Sequence, residues 1–464
     1  MVEKILSWAT IFVIGTALLI RLTNLSFNAP FIDEALYIVL GKKIILSHDI
    51  GSNPFSWISG MPYLYPPLSG LSYLVGGLAG ARFFSAVLGI TSVWFLYRVG
   101  LQLFVRKSVS VYGRIAALLG GLFLAIEPIH GWLSRMAMMD MLAFTLFLGG
   151  LLLIVETVHD DNRLKASLAG IMLFLGFLAK YSVALMLPVI SVWIIYRFMR
   201  HRRQRALLYT LVILSTLVAG YGLWQFENLL SFLNTQTFTE SSSASFITIS
   251  RTIFEYTWIW LLPGAIGLWH LVKQNKELGV LLSGIVFLPV SVHLLTLNGP
   301  TLVQNLIFSF VGLCLFAGLG FGAIISRSRK IGTAITALFI VFALLNGMHK
   351  RSDLEQQWPN YDLVTDYLVE VVEPDDRLLV QADDIAVLAL EDVLSAEQIT
   401  GPYGFSYDDL EGDEAYQEAV ADGYFTYIQL DRPDSWFAKI IEPDLSDQYE
   451  LVFQKENFVV YKVI

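Results

Sequence analysis

Ser182 to Trp224 reads SVALMLPVISVWIIYRFMRHRRQRALLYTLVILSTLVAGYGLW, two apolar runs flanking the basic cluster Arg200-His201-Arg202-Arg203-Gln204-Arg205. Each run approaches the roughly 20 helical residues needed to cross about 30 Å of hydrocarbon. A basic cluster between two spans marks a cytoplasmic loop. Outward from this pair the pattern repeats. Apolar stretches lie near 4–22, 82–99, 113–128, 139–157 and 166–179, the pair itself gives 182–198 and 206–224, and four more follow near 254–271, 278–296, 304–324 and 331–348. The pattern predicts a polytopic α-helical membrane protein with about 11 transmembrane helices.

The composition agrees with a lipid environment. Of 464 residues, 55% are hydrophobic and 15% charged, and the mean hydropathy is +0.60, far more apolar than a soluble chain of this length. The net charge of −9 conceals two opposite parts: residues 1–350 carry 12 more basic than acidic groups, and 351–464 carry 21 more acidic than basic. The break predicts a membrane domain, 1–350, with a first outer loop at 23–81, followed by an acidic domain, 351–464. With the N-terminus cytoplasmic, the cytoplasmic segments of the membrane domain collect 17 basic residues and its opposite side fewer than half as many. That asymmetry orients the chain in the cell membrane and puts the acidic domain outside the cytoplasm. The first span reads as a retained anchor, because no small-residue cleavage site follows it closely. Basic residues scattered among apolar spans do not form the contiguous face that nucleic acid requires, so no such partner is expected. Cys314, the single cysteine, excludes an intrachain disulfide and a cysteine-based metal cluster.

Within 351–464, Tyr361 to Leu368 repeats apolar groups at helical spacing, and Arg377–Val380 reads as a strand after the turn Pro374-Asp375-Asp376. Phe425–Leu430 and Phe458–Val463 read as further strands. A small soluble α/β domain follows. Its acidic run Asp408–Glu414 does not match an EF-hand loop and reads most simply as a solvated face.

Three clusters on the outer side carry candidate chemistry. Asp33 and Glu34, in Phe31-Ile32-Asp33-Glu34-Ala35-Leu36-Tyr37, stand a few residues beyond the first span. Carboxylates at the edge of the membrane are costly unless paired or used. On spacing alone they serve equally well as caps of an amphipathic helix beginning after Pro30. In the second cluster, Glu127 to Asp140, Arg135 and Asp140 are five apart; they suit an ion pair, or Arg135 offers a planar fork to a phosphate. The third, Gly176-Phe177-Leu178-Ala179-Lys180-Tyr181, places a lysine beside a tyrosine between two spans, where a snorkelling role is the simpler reading. Tyr63 and Tyr65, with Tyr37 and His130, are aromatic candidates for sugar or acceptor contacts, or members of an interfacial belt.

Taken together, Asp33-Glu34-Ala35 with Tyr37, Tyr65-Pro66-Pro67-Leu68, Arg82-Phe83-Phe84-Ser85, Ser134-Arg135-Met136-Ala137-Met138-Met139-Asp140 and Gly176–Tyr181 resemble, in order and topological side, the GT-C superfamily of integral-membrane glycosyltransferases. The resemblance covers roughly residues 5–200 and lies with the branch of protein O-mannosyltransferases and aminoarabinose transferases. One departure is Gln304, which stands where relatives often carry an arginine before an apolar-aromatic run.

The resemblance implies a donor sugar on a polyprenyl or dolichyl phosphate and an acceptor glycan, lipid or protein on the extracytoplasmic face, with membrane lipids as surroundings. The acceptor hydroxyl must lose a proton as it attacks the anomeric carbon, and Asp33 is assigned as that base. The phosphate leaving group needs no acid, unlike glycosidases with their two carboxylates. Arg135 and Lys180 are assigned to the phosphate, with Glu34, Asp140 and Tyr181 completing the donor site. One base opposite the leaving group implies inversion. No cofactor is required; a divalent metal is compatible with the chemistry but not demanded by it, and no metal ligands are assigned. A transporter or lipid flippase fits less well, because the charges gather on the outer side and no internal repeat is visible. A noncatalytic relative fits less well given Asp33 and Arg135.

Overall fold

The computed structural model describes residues 2–47, 64–105, 111–201, 204–237, 244–431, 435–445 and 448–464. In chain order the first fourteen helices are α1 (Val2–Leu22), α2 (Ile32–Ser47), α3 (Tyr65–Phe104), α4 (Val111–Ile126), α5 (Pro128–Leu133), α6 (Met139–Asp160), α7 (Arg163–Ala179), α8 (Leu187–Arg200), α9 (Leu207–Trp224), α10 (Phe226–Thr237), α11 (Phe246–Gln274), α12 (Lys276–Thr296), α13 (Leu302–Arg327) and α14 (Arg329–Glu355). Each expected span falls on one of these helices to within two residues, the sixth beginning in a 3₁₀ turn at Tyr181–Leu185. Among the described residues, seven helices are long and apolar enough to cross a membrane by length and composition, and others, such as Trp8–Leu22 and Tyr112–Ile126, are apolar but shorter. The chain is a multi-pass membrane protein.

Two compact units divide the chain: Met1–Leu25, Gly60–Tyr65 and Arg82–Leu354 form the first, and Ser26–Ser59, Pro66–Ala81 and Glu355–Ile464 the second. The division cuts α3, whose Pro66 and Pro67 open the helix where missing N–H groups cost nothing. The helix kinks at Gly76 and Gly77, the latter at φ 61, a left-handed conformation that glycine adopts without penalty.

In the first unit α13 is apolar on all sides and mostly buried, packed against α4, α11 and α12. Small residues allow the approach. A Cβ at Gly267 of α11 would fall 1.7 Å from the carbonyl oxygen of Phe316, and one at Gly318 of α13 would fall 2.3 Å from that of Ala116. Only glycine lets these backbones meet, the usual device where lipid offers no hydrophobic drive between helices.

In the second unit the C-terminal domain adds α15 (Asp362–Val371), β1 (Leu378–Val380), α16 (Asp383–Leu390), β2 (Ile399–Thr400), β3 (Ser406–Tyr407), β4 (Leu410–Glu411), α17 (Asp413–Ala421), β5 (Tyr427–Leu430), α18 (Trp436–Leu445), β6 (Tyr449–Lys455) and β7 (Phe458–Val463). Five strands form one sheet in the order β2-β1-β5-β7-β6, with β1 parallel to β2 and β5, and β7 antiparallel to β5 and β6. The central strands β1 and β5 are buried along their length, as parallel strands covered on both faces require. Leu379, Ile428 and Leu430 meet Val420, Phe437 and Ile441 in the core. The acidic run 408–414 begins as a hairpin turn between β3 and β4, with Asp408 at φ 45 and Asp409 at φ 66, the left-handed pair that a tight two-residue hairpin demands.

Candidate functional site

In the first unit the geometry centres on Lys180. Helix α7 ends at Ala179, and Lys180 turns into extended backbone (φ −153, ψ 123) before the following 3₁₀ turn. Its Nζ lies 2.6 Å from Asp140 Oδ1 and 2.8 Å from Gln304 Oε1. Asp140 belongs to the first turn of α6, where the helix dipole favours a carboxylate, and Gln304 to the first turn of α13. Three helix ends therefore converge on one cation. Lys180 and Asp140 are only 7% and 2% exposed, and Asp140 Oδ2 has no hydrogen-bond partner among the described residues. A buried pair of this kind is a demanding arrangement, since removing either partner strands the other's charge.

Arg135 follows α5, whose N-terminus is capped by Glu127, Oε2 accepting from the His130 N–H at 2.6 Å. Its Nη2 donates to the carbonyl oxygens of Thr23 (3.0 Å) and Asn24 (2.6 Å), tying down the chain where it leaves α1. Arg21, at the end of α1, is fully buried: it donates to the carbonyls of Ala17 and Ala125 at 3.2 and 3.0 Å and makes a short contact with His130 Nδ1. A guanidinium has no acceptor, so Nδ1 must accept and the imidazole proton sits on Nε2. From there it points to Ser92 Oγ at 2.7 Å, and Ser92 passes its own proton to the Gly89 carbonyl. His130 is thus enclosed in a packing network.

Of the aromatic candidates, Tyr181 shares a hydroxyl–hydroxyl hydrogen bond of 2.8 Å with Tyr221 and packs against Phe177 at 5.1 Å between ring centroids. Tyr65 is buried, its hydroxyl 3.2 Å from Ser85 Oγ. Tyr63 lies outside the described residues.

In the second unit Asp33 and Glu34 open α2. The Phe31 N–H donates to Glu34 Oε2 at 2.9 Å, so the buried Glu34 closes its own helix end. Asp33 is half-buried and Tyr37 buried. The segment before α2 is gripped by the chain following α14: the Trp358 indole N–H donates to the Ala29 carbonyl at 3.1 Å, and its ring meets Phe31 edge-on at 5.2 Å.

Helix α16 packs on α2, with Lys42 and Glu391 forming an ion pair. The carboxyls that begin α16 are perturbed. Burial pushes Asp383 up to about 6. It drives Asp384, 3% exposed, well above the carboxylate range, with the Asp383 and Asp33 charges adding to the effect. Among the described residues no group of three or more His, Cys, Asp or Glu side chains is placed to hold a metal ion.

The structure therefore brings Asp140 and Lys180 together, adds Gln304, and keeps Asp33, Glu34 and Tyr37 on α2. Sequence reading missed the Arg21–His130 network and Asp384. An arginine in the last turn of an apolar helix was the visible sign of the first; nothing local announces the second.

The family model described as dolichyl-phosphate-mannose-protein mannosyltransferase matches residues 68–224. ArnT from Cupriavidus metallidurans bound to undecaprenyl phosphate superposes with a TM-score of 0.66 at 14% identity, over 97% of this chain and 97% of that one. The archaeal oligosaccharyltransferase AglB from Archaeoglobus fulgidus, in complex with an inhibitory peptide and a dolichol-phosphate, superposes with a TM-score of 0.64 at 12% identity, over 100% of this chain and 74% of that one. No curated protein matches in sequence. The stretch matched by the mannosyltransferase model holds Arg135, Asp140, Lys180 and Tyr181, and the chain shares its fold with ArnT and AglB.

Proposed function

We propose that this chain is a membrane glycosyltransferase that moves a sugar from a polyprenyl-phosphate carrier to an acceptor on the extracytoplasmic face, with inversion at the anomeric carbon. The observation that carries the reading is the buried Lys180–Asp140–Gln304 cluster, a held cation at the meeting of three helix ends, within a fold shared with an enzyme bound to undecaprenyl phosphate. Lys180 faces the donor phosphate, with Asp140 fixing its position, and Arg135 stands as the second cation. Asp33 takes the proton of the acceptor hydroxyl as that oxygen attacks the anomeric carbon, and the carrier phosphate leaves with the bonding electrons. Stabilising the departing phosphate is the larger part of the work, and fixed cations in a poorly hydrated site do this without reorganising. Glu34, turned back to its own helix end, holds Asp33 at the helix start. Tyr181 and Tyr37 remain the aromatic surfaces offered to donor and acceptor. The charge asymmetry supports a cytoplasmic N-terminus, with the C-terminal domain on the outer side.

The test compares host cells carrying the wild-type chain or Asp33→Asn at matched protein levels, with polyprenyl phosphosugars quantified by mass spectrometry. One species accumulating in the variant names the donor and supports Asp33 as base. Unchanged lipid pools together with unchanged acceptor glycans overturn the reading.

A further inference from the structure

Between α8 and α12, both in the first unit, lies a cavity of about 670 Å³ that the proposed chemistry does not use. Val192, Trp193 and Tyr196 of α8 and Val280 of α12 wall it, and Arg200 and Lys276 stand at one end. Its size is that of a small-molecule site, but its walls are almost wholly apolar and its charge is confined to that end.

The two helices run in opposite directions, so the C-terminus of α8 and the N-terminus of α12 meet at the charged end. There Glu277 is shared by Arg197 at 2.9 Å and Arg200 at 3.0 Å. Lys276 adds a third cation, leaving positive charge uncompensated at the mouth. Away from that end the helices touch: a Cβ on Gly284 would fall 2.7 Å from Val189 Cγ1. From Pro188 to Arg200 a helix rises about 18 Å, close to one leaflet of a hydrocarbon core about 30 Å thick. Trp193 is 5% exposed, and its indole N–H has no hydrogen-bond partner among the described residues. It stands two helical turns inward from Arg200, where the ester carbonyls of a glycerolipid would supply the missing acceptor.

We propose that this groove binds one anionic phospholipid of the cytoplasmic leaflet, its acyl chain lying between Val192 and Val280 and its phosphate at Arg200 and Lys276. Basic pockets between transmembrane helices on the cytoplasmic side select such head groups. Arg200 closes the end of α8 remote from Lys180, so a carrier lipid with its phosphate at Lys180 does not bring its charge here. The inference stands whether or not the chain transfers sugars.

The full-length chain, reconstituted with phosphatidylglycerol or phosphatidylcholine and released for native mass spectrometry, retains one phosphatidylglycerol with a preference of roughly thirtyfold, the equivalent of about 2 kcal/mol for two interfacial cations. Arg200→Gln with Lys276→Gln removes the preference; the control pair Arg329→Gln with Lys330→Gln keeps it; Val280→Trp lowers retention of both lipids. Equal retention of the two lipids by the wild type overturns the proposal. So does a preference that survives in the Arg200→Gln, Lys276→Gln chain, or one lost equally in the control pair. Displacement of phosphatidylglycerol by undecaprenyl phosphate from the wild type but not from Arg200→Gln, Lys276→Gln would assign the groove to the carrier and also overturn it.

Discussion

Lys180 Nζ and Asp140 Oδ1 stand 2.6 Å apart across 40 residues of sequence, both side chains nearly sealed from solvent. The pair sits at helix ends instead of mid-helix, so its charges lean on the Asp140 helix dipole as well as on each other. Lys180→Met or Asp140→Asn alone should lower stability by about 3 kcal/mol, because each leaves one buried charge uncompensated. The double variant should recover part of that loss. Denaturant unfolding in detergent, analysed as a double-mutant cycle, measures this; strictly additive losses would show that the two groups do not depend on each other.

Asp33→Asn should reduce sugar transfer by roughly a hundredfold or more, the usual contribution of a positioned base, compared at equal amounts of folded protein. Asp33→Glu should keep a small fraction of the activity. Transfer from a lipid extract containing the host's polyprenyl phosphosugars provides the assay, and an Asp33→Asn chain as active as wild type would remove Asp33 from the mechanism.

Arg135 separates structure from chemistry through its two carbonyl contacts. Arg135→Lys keeps a positive charge but loses the planar fork, and should speed hydrogen exchange at Thr23–Leu25, the turn that the guanidinium now holds. If Arg135 also meets the donor phosphate, KM for the donor rises in Arg135→Lys and rises further in Arg135→Gln. Faster exchange with unchanged KM would leave it a purely structural residue.

Asp383 and Asp384 fix a pH dependence. Their carboxyls hold protons more tightly in the folded chain, Asp383 up to about 6 and Asp384 well above the carboxylate range, than the value of about 3.9 expected when unfolded. The stability they contribute is complete below about pH 4 and is lost as pH rises through 6 and beyond. Asp384→Asn keeps the shape without the ionisation. Its unfolding midpoint should match the wild type near pH 4 and exceed it by a margin that grows toward pH 8; a margin constant with pH would mean that Asp384 does not titrate with unfolding.

Much of this architecture could be read from the chain alone. The apolar runs placed the helices, the turn Pro374-Asp375-Asp376 placed β1, and β-branched and aromatic runs placed β5 and β7, because burial of a whole helix or strand leaves a mark in the sequence. Strand β6 was not read from the sequence: Tyr449–Lys455 is an edge strand in which even Leu451 is exposed, and its burial does not alternate, so it lacks the periodic signal of a strand with one covered face. Lys180 and Asp140 were legible as single residues, but their pairing was not, and Gln304 looked only like a departure until its amide was found against Lys180, 124 residues away. Nor does the sequence reveal that segments 26–47 and 66–81 group with the C-terminal domain, because that grouping is made by contacts such as Trp358 with Ala29 and Lys42 with Glu391, each spanning more than 300 residues.

Where Gly267 and Gly318 let α11 and α4 reach α13, a single added methyl group would meet a carbonyl oxygen belonging to another helix, with no side chain able to swing aside. Large residues at lipid-facing positions such as Phe254 or Leu262 meet no such wall. Sequence drift in this membrane unit should therefore run opposite to the usual expectation that bulky residues are the irreplaceable ones: the positions with the least freedom are those with the least chemistry, and a homologue that had lost one of these glycines would have to move a whole helix to keep its fold.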